Sequence, residues 1–398
     1  MKKYLLSFVT LLILLQLLGC SLSVSEPVLT YPQVTPSVIA SVSPSPSPTP
    51  HKTLGPTATP GITQYIPTPS PTIKPTERPT PSPSPTQRPV PGTIVSMKDA
   101  QYSYEELMED INQLMAKFPQ YLTLRTIGQS VFGRDIPMIV MGDPENPKKI
   151  LIQGSTHARE YITSLLVMKQ LEVYCEQYGT GIYKDSTYEQ IISECAIYFV
   201  PMLNPDGVNL CIKGLDSVPM EWRAYVNALP GISKLSAWKA NGVGVDLNGN
   251  FGTGWGDLSD LPTAPCSDGY PGTPFSEPES KAIQTLCAEN AFLNLTSYHA
   301  CGRILYWYYY QDATTEARDL QYALELKGLT GYSLVGKDSI SSSTVGLKDW
   351  FIARYRKPGF TIEVGKGSYG TPVPYKDLYN VWYKNELVPI HLAWKECN

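Results

Sequence analysis

The sequence predicts an α/β fold, a β-sheet covered by helices on both faces and set behind an unstructured tail. Three observations carry this reading. Apolar strand-like runs alternate with helix-spaced segments over residues 96–398, the pattern of a sheet with helices packed on each side. Nineteen of the 36 prolines fall between Pro27 and Pro91, which leaves 17 for everything that follows. One tail and one large domain account for that split better than several domains. Hydrophobic residues make up 42% of the 398, enough for a core and too many for global disorder. The formal net charge of −4 argues against a nucleic-acid binder, which would carry a basic surface.

Lys2 and Lys3 precede an apolar run over residues 5–18, broken only by Ser7, Thr10 and Gln16. The run is short for a membrane span of about 20 residues and fits the core of a signal peptide. Leu17-Leu18-Gly19-Cys20 follows and resembles a bacterial lipobox. That resemblance implies a signal segment at 1–20, a lipid on Cys20, and an extracytoplasmic protein held to the cell membrane by that lipid alone. Plain secretion is the rival reading. Residues 21–95 are rich in Ser, Thr and Pro, as in the run SPSPSPTP at 43–50. Such a stretch buries too little apolar surface to offset its ordering entropy. Proline biases it to extended chain, about 3.1 Å per residue. It reads as a disordered linker that holds the domain, 96–398, away from the membrane. The seven cysteines after Cys20 show no C-x-x-C spacing, so no zinc ribbon or redox motif is present. An exported chain could pair some of them, though most read as small core residues.

Within the domain, Ser103-Tyr104-Glu105-Glu106 is a capping-box pattern. Leu107, Ile111, Leu114, Met115 and Phe118 then recur at helical spacing, predicting a helix over 104–118 that Pro119 ends. Strands are predicted at 122–127, 136–141 and 149–153, then a helix over 163–178. Residues 196–203 read as a buried strand closed by a turn at Asn204-Pro205-Asp206-Gly207. Residues 208–275 show little periodicity. Ser276-x-x-Glu279 opens a helix to Glu289. Strands at 292–298, 303–308 and 359–364 and helices at 313–328 and 376–396 complete the series.

The chain has four histidines. His51 falls in the linker, and His391 lies in the last helix, where a structural role is the default. His157 belongs to Gly154-Ser155-Thr156-His157-Ala158-Arg159-Glu160, just after the strand at 149–153. A His and a Glu three apart, in a turn entering a helix, can point at one metal ion. Alone, the pair reads more readily as a surface salt bridge. Its position strengthens the metal reading, because α/β folds place their sites at the carboxyl ends of strands. His299 closes a second apolar strand at 293–299, where a hydrogen-bonded core histidine is the plainer alternative. Two His and one Glu would leave a coordination position open, the catalytic rather than the structural arrangement. Glu363 stands in Phe360-Thr361-Ile362-Glu363-Val364. A lone carboxylate in such a strand is costly unless paired or functional, so Glu363 is the candidate general base.

His157-x-x-Glu160, Gly244-Val245-Asp246-Leu247-Asn248, Ser297-Tyr298-His299 and Thr361-Ile362-Glu363 occur in an order and spacing that resemble the zinc carboxypeptidases, the carboxypeptidase A/T-like metallopeptidases. Gly133-Arg134, residues 201–207 and residues 274–279 add further matches, so the resemblance spans nearly all of 96–398. It implies a single α/β domain around a central mixed, mostly parallel, twisted sheet, and one Zn²⁺ per domain. His157, Glu160 and His299 match the zinc ligands. Asp246 matches the acid that hydrogen-bonds the first zinc histidine and fixes its tautomer. Glu363 matches the general base for the attacking water. Arg159 matches a substrate-binding arginine beside the zinc motif. The implied reaction is peptide-bond hydrolysis without a Ser or Cys nucleophile.

Departures from the family pattern bear on the substrate. The family follows this Asp-Leu-Asn with Arg, and the Asn and Arg grip a terminal carboxylate. Here Asn248 is kept and Gly249 stands in place of the Arg, so the bidentate fork is missing. Lys239, in Trp238-Lys239-Ala240-Asn241, corresponds to an Arg that aids the developing oxyanion. The substrate-capping Tyr of the family falls on Ile352. Three readings follow. One is a zinc peptidase acting on short cell-wall-derived peptides, of the γ-D-glutamyl-diamino acid type, with peptidoglycan stem peptides as substrates. Another is a true carboxypeptidase in which Arg303 or another cation anchors the terminal carboxylate. The third is an inactive surface lipoprotein that binds peptides.

Overall fold

The strands that build the core of this protein are apolar on both faces. The computed structural model describes residues 90–253, 261–339 and 346–398, within a compact unit spanning Pro83–Asn398. Cys20, His51 and the linker up to residue 89 lie outside the described residues. The strands are β1 (Leu122–Gln129), β2 (Asp135–Met141), β3 (Lys149–Gln153), β4 (Ile182–Tyr183), β5 (Ser186–Thr187), β6 (Ala196–Val200), β7 (Leu295–Ala300), β8 (Ile304–Tyr306), β9 (Ser333–Leu334) and β10 (Gly359–Val364). β4 and β5 pair only with each other, and the rest form one eight-stranded sheet in the order β1-β2-β6-β3-β7-β10-β8-β9. β6, β3, β7 and β10 are parallel, whereas β1 with β2, β2 with β6 and β10 with β8 are antiparallel. The sheet is therefore mixed and parallel at its centre, as expected.

Alternate residues of the central strands enter two different cores. Ile150, Ile152, Ile197, Phe199, Tyr298 and Ile362 pack on one face, and Leu151, Tyr198, Val200 and Leu295 on the other. That two-sided burial is why the runs are continuously apolar rather than alternating. The helices are α1 (Tyr104–Lys117), α2 (Ile162–Glu176), α3 (Tyr188–Glu194), α4 (Pro205–Lys213), α5 (Met220–Asn227), α6 (Pro278–Glu289), α7 (Ala313–Thr330), α8 (Leu347–Tyr355), α9 (Leu378–Asn385) and α10 (Val388–Cys397). α1, α2, α9 and α10 cover the first face, while α6 and α8 cover the second. The capping box forms at the start of α1, with Ser103 and Glu106 exchanging bonds.

Three differences from the sequence reading have local causes. The turn at 204–207 is a helix start: Asn204 Oδ1 accepts from Gly207 N at 2.9 Å and Pro205 occupies the first turn of α4, the arrangement proline favours at a helix N-terminus. The single helix at 376–396 is two, α9 and α10, with Pro389 opening the second. α8 has no amphipathic signature, because Lys348 and Asp349 are buried against each other in its first turn.

The packed unit also begins before residue 96. Glu172 of α2 accepts Ile94 N at 2.7 Å and Val95 N at 3.2 Å, and Lys169 Nζ donates to Val95 O at 3.0 Å and to Glu172 at 2.7 Å. Both charged side chains are buried, so this pair clamps the incoming chain onto α2. Seven cysteines carry free thiols among the described residues, and no described helix is long and apolar enough to cross a membrane.

Candidate functional site

The parallel strands β3, β7 and β10 are neighbours, so their carboxyl ends lie along one edge of the sheet. The chain leaves β3 through α2 towards β6 on one side, while β7 lies on the other. This is a topological switch point, where an α/β sheet opens a crevice. His157 follows β3, His299 lies at the end of β7, and Glu363 at the end of β10. Glu363 stands in register opposite His299, a pairing that places both side chains on the same side of the sheet.

The loop after β3 is held tightly. A Cβ on Gly154 would come within 2.9 Å of Pro201 O, so a larger residue would displace the turn. Ser155 N donates to Thr163 Oγ1 at 2.7 Å, and Gln153 Oε1 accepts from Thr156 Oγ1 at 3.0 Å and Ser297 Oγ at 2.6 Å. Asn204 Nδ2 bonds Thr156 O and Ala240 O, each at 3.1 Å. Gln153 is not among the residues the sequence marks, and Asn204 enters there only as a turn residue within the match at 201–207. Gln153 does carry a signal, a polar residue closing an apolar strand, the same signal that marks His299. His157 then caps a short 3-10 turn, Ala158–Glu160, which brings Glu160 round to its own ring.

Three donor side chains meet there. His157 Nδ1 lies 2.8 Å from Glu160 Oε1, His299 Nδ1 lies 3.1 Å from Glu160 Oε2, and the two Nδ1 atoms are 3.2 Å apart. Ligands of one tetrahedral zinc at about 2.0–2.1 Å stand about 3.3 Å from each other, so the triangle fits a single ion. All three residues are buried. Glu160 Oε2 has no polar contact other than its approach to His299 Nδ1, and two imidazole nitrogens face each other in the way a shared cation requires. Two imidazoles and a carboxylate are a zinc donor set with room for a further ligand.

Behind the triangle, Asp246 Oδ1 lies 3.2 Å from His157 Nε2 and accepts from Asn248 N at 2.9 Å. Its Oδ2 accepts from Lys239 Nζ at 2.6 Å. Lys239 is thus bound to Asp246, rather than standing free beside the metal position. Burial disfavours the charged carboxylates of Glu160 and Asp246. His157 and His299 nevertheless hold Glu160 well below the usual carboxylate range, and Lys239 and His157 do the same for Asp246. Burial works to lower the His157 pKa, but Glu160 and Asp246 outweigh it and raise it. Glu363 goes the other way: burial, and then the charge of Glu160, push it up to about 7.

The remaining candidates are spread more widely. Arg159 is buried, donates to Ala237 O at 2.9 Å and lies 3.7 Å from Asp268. Asn248 Oδ1 accepts from Leu347 N at 3.1 Å, at the start of α8. A Cβ at Gly249 would sit 3.3 Å from Pro271 Cβ, so any side chain there would start in tight contact with Pro271. Arg303 donates to Asp377 at 2.7 Å. Ile352 is buried in α8, and the nearby Tyr355 packs on Trp350 and Phe351.

Comparison with known proteins agrees with this geometry. Residues 107–387 match the Peptidase_M14 family, described as zinc carboxypeptidase. Gamma-D-glutamyl-L-diamino acid endopeptidase 1 of Lysinibacillus sphaericus is 32% identical over 73% of this chain and 72% of its own. The uncharacterized protein YqgT of Bacillus subtilis is 31% identical over 71% of this chain and 74% of its own. Among solved structures, bovine thrombin-activatable fibrinolysis inhibitor superposes with a TM-score of 0.59 at 19% identity, over 74% of this chain and 98% of that one; at that identity the likeness speaks for the fold.

Proposed function

The chain belongs to the zinc carboxypeptidase family and is a zinc metallopeptidase, and from that premise we propose that it cleaves γ-D-glutamyl-diamino acid bonds in short peptides derived from the cell wall. One observation carries the choice of substrate. The metal donors and Glu363 are all present, while the position of the carboxylate-gripping arginine is Gly249, crowded by Pro271. An enzyme built this way retains amide hydrolysis and lacks the fork that selects a free C-terminus. The endopeptidase from Lysinibacillus sphaericus supports the same reading. Arg303 is held by Asp377 at 2.7 Å, which leaves fewer of its donors for a substrate carboxylate.

His157, Glu160 and His299 would hold the ion. When bound, zinc supplies a Lewis acid that polarises the scissile carbonyl and brings the pKa of a coordinated water towards about 7. The protein supplies the rest. Glu363 takes the proton of the attacking water at its carboxylate and returns it to the leaving amine. Asp246 accepts from His157 Nε2, leaving Nδ1 free for the metal, and Lys239 keeps Asp246 ionised. Arg159 offers its guanidinium to the substrate. The lipobox-like Leu17-Leu18-Gly19-Cys20 supports an extracytoplasmic, lipid-anchored location; an unmodified mature N-terminus elsewhere than Cys20 in intact-mass analysis would refute it.

The test is to incubate the zinc-loaded protein with muropeptides and with simple C-terminal substrates and to follow both by mass spectrometry. Cleavage between D-Glu and the diamino acid is expected. Release of C-terminal residues alone would make it a carboxypeptidase instead. Turnover of neither, with zinc bound, would leave the reading of an inactive peptide-binding lipoprotein.

A further inference from the structure

The loop that follows Glu363 carries an aromatic side chain that the core does not use. β10 ends at Val364, and Gly365 turns the chain with φ 72°, packed so closely on Val373 that a Cβ would lie 2.7 Å from it. Gly365 O accepts from Gly302 N at 3.1 Å, and Lys366 N donates to Asp377. The base of the loop is thereby fixed. Its tip is the turn Ser368-Tyr369-Gly370-Thr371, closed by Thr371 N to Ser368 O at 3.1 Å, with Gly370 at φ 81°. Positive φ at the third position is the type II arrangement, which only glycine adopts without strain. The turn displays Tyr369, which is 92% exposed, the most exposed large hydrophobic among the described residues.

Tyr369 is not displayed at random. Its ring centroid lies 5.6 Å from the guanidinium carbon of Arg159, the residue between His157 and Glu160. The tyrosine therefore sits against Arg159, beside the turn that carries two of the metal donors. An aromatic ring left in water beside a substrate cleft gains apolar burial only when something enters the cleft. The position at which the family places a capping tyrosine, Ile352, is buried in α8 and unavailable.

We propose that Tyr369 is the substrate cap of this enzyme, an aromatic lid on the β10 loop that closes over the bound peptide while stacking on Arg159. The cap rests on the peptidase reading above. It is a contact made with the bound substrate and takes no part in proton transfer, so it acts on substrate affinity more than on the chemical step. The ring matters and the phenol does not.

The experiment uses the full chain, zinc-loaded. Tyr369→Ala should raise KM by roughly tenfold, the scale of losing an aromatic anchor, with kcat within about threefold and zinc content unchanged, and Tyr369→Phe should restore KM. Independently of turnover, Tyr369→Trp in a Glu363→Gln background should become shielded from acrylamide quenching when a γ-D-glutamyl-diaminopimelate tripeptide is added, relative to Glu363→Gln alone. If calorimetry shows that the tripeptide binds the Glu363→Gln protein, yet Tyr369→Trp gains no protection and Tyr369→Ala keeps its KM, the cap is wrong and the peptidase reading stands. If neither the tripeptide nor a C-terminal dipeptide binds the Glu363→Gln protein, the peptidase reading falls and takes the cap with it.

Discussion

Glu279, in the first turn of α6, gives the sharpest physical test of the fold around the site. Its side chain is fully buried; Oε1 accepts from Val131 N at 3.3 Å and Oε2 has no partner. Burial, then the charge of Asp206, push its pKa from 4.5 up to about 8. The folded protein thus holds a proton that the unfolded chain gives up above about pH 4.5. Where the native state binds the extra proton, stability falls as pH rises. The contribution is complete below 4.5, declines between 4.5 and about 8, and is gone above that. The interval corresponds to about 5 kcal/mol at 1.36 kcal/mol per pH unit, an upper figure. For a domain of about 300 residues, 1 kcal/mol moves Tm by roughly 2 °C. Glu279→Gln cannot ionise, so it should melt close to the wild type at pH 4.5 and up to about 5–10 °C above it at pH 9. Differential scanning calorimetry of both proteins at matched zinc and salt, across pH 4.5–9, reads the difference directly. A Tm difference that stays flat over that range would show that Glu279 is not a buried, protonated acid.

Other expectations follow from the site itself. Glu363→Gln should lower kcat/KM by about 10²- to 10⁴-fold while metal analysis still finds one zinc per chain; loss of zinc would move Glu363 among the ligands. Asp246→Asn should weaken zinc binding by about 10- to 100-fold in a chelator competition, since it leaves His157 without its anionic partner; unchanged affinity would remove Asp246 from the metal's support. Lys169→Met should strand the buried charge of Glu172 and destabilise the domain by about 3–5 kcal/mol in urea titration, with faster proteolysis near residues 92–95. A stability loss below 1 kcal/mol would mean that the clamp on the incoming chain is ornamental.

Local chemistry is what the sequence makes legible. His157 and Glu160 are three residues apart, so their approach depends on one turn and can be read from spacing alone. His299 and Glu363 are legible as polar residues at the ends of apolar strands, yet nothing local says that they meet. Their meeting depends on β7 and β10 pairing in parallel with Glu363 opposite His299, a long-range register. The partners of the cations are hidden for the same reason. Lys239 and Arg303 read from the sequence as cations without assigned partners, and the fold sets Asp246 and Asp377 beside them. α4 was missed because Asn-Pro-Asp-Gly serves equally well as a turn and as a helix start, and the choice lies in the capping bond of Asn204.

The same division explains which parts of the site depart from the family pattern. Glu363 is held inside a strand flanked by β7 and β8. A slip of one residue would turn it to the opposite face of the sheet and would carry Phe360 and Ile362 out of the core with it. The base is therefore tied to the stability of the whole domain. Gly249 and Tyr369 carry no such constraint. One lies in a short 3-10 turn and the other at a loop tip, where a new side chain alters what the cleft accepts and leaves the sheet untouched. An arginine fork can be lost at 249 without moving a metal donor, which is why a departure of this kind argues for a changed substrate on an intact hydrolytic centre.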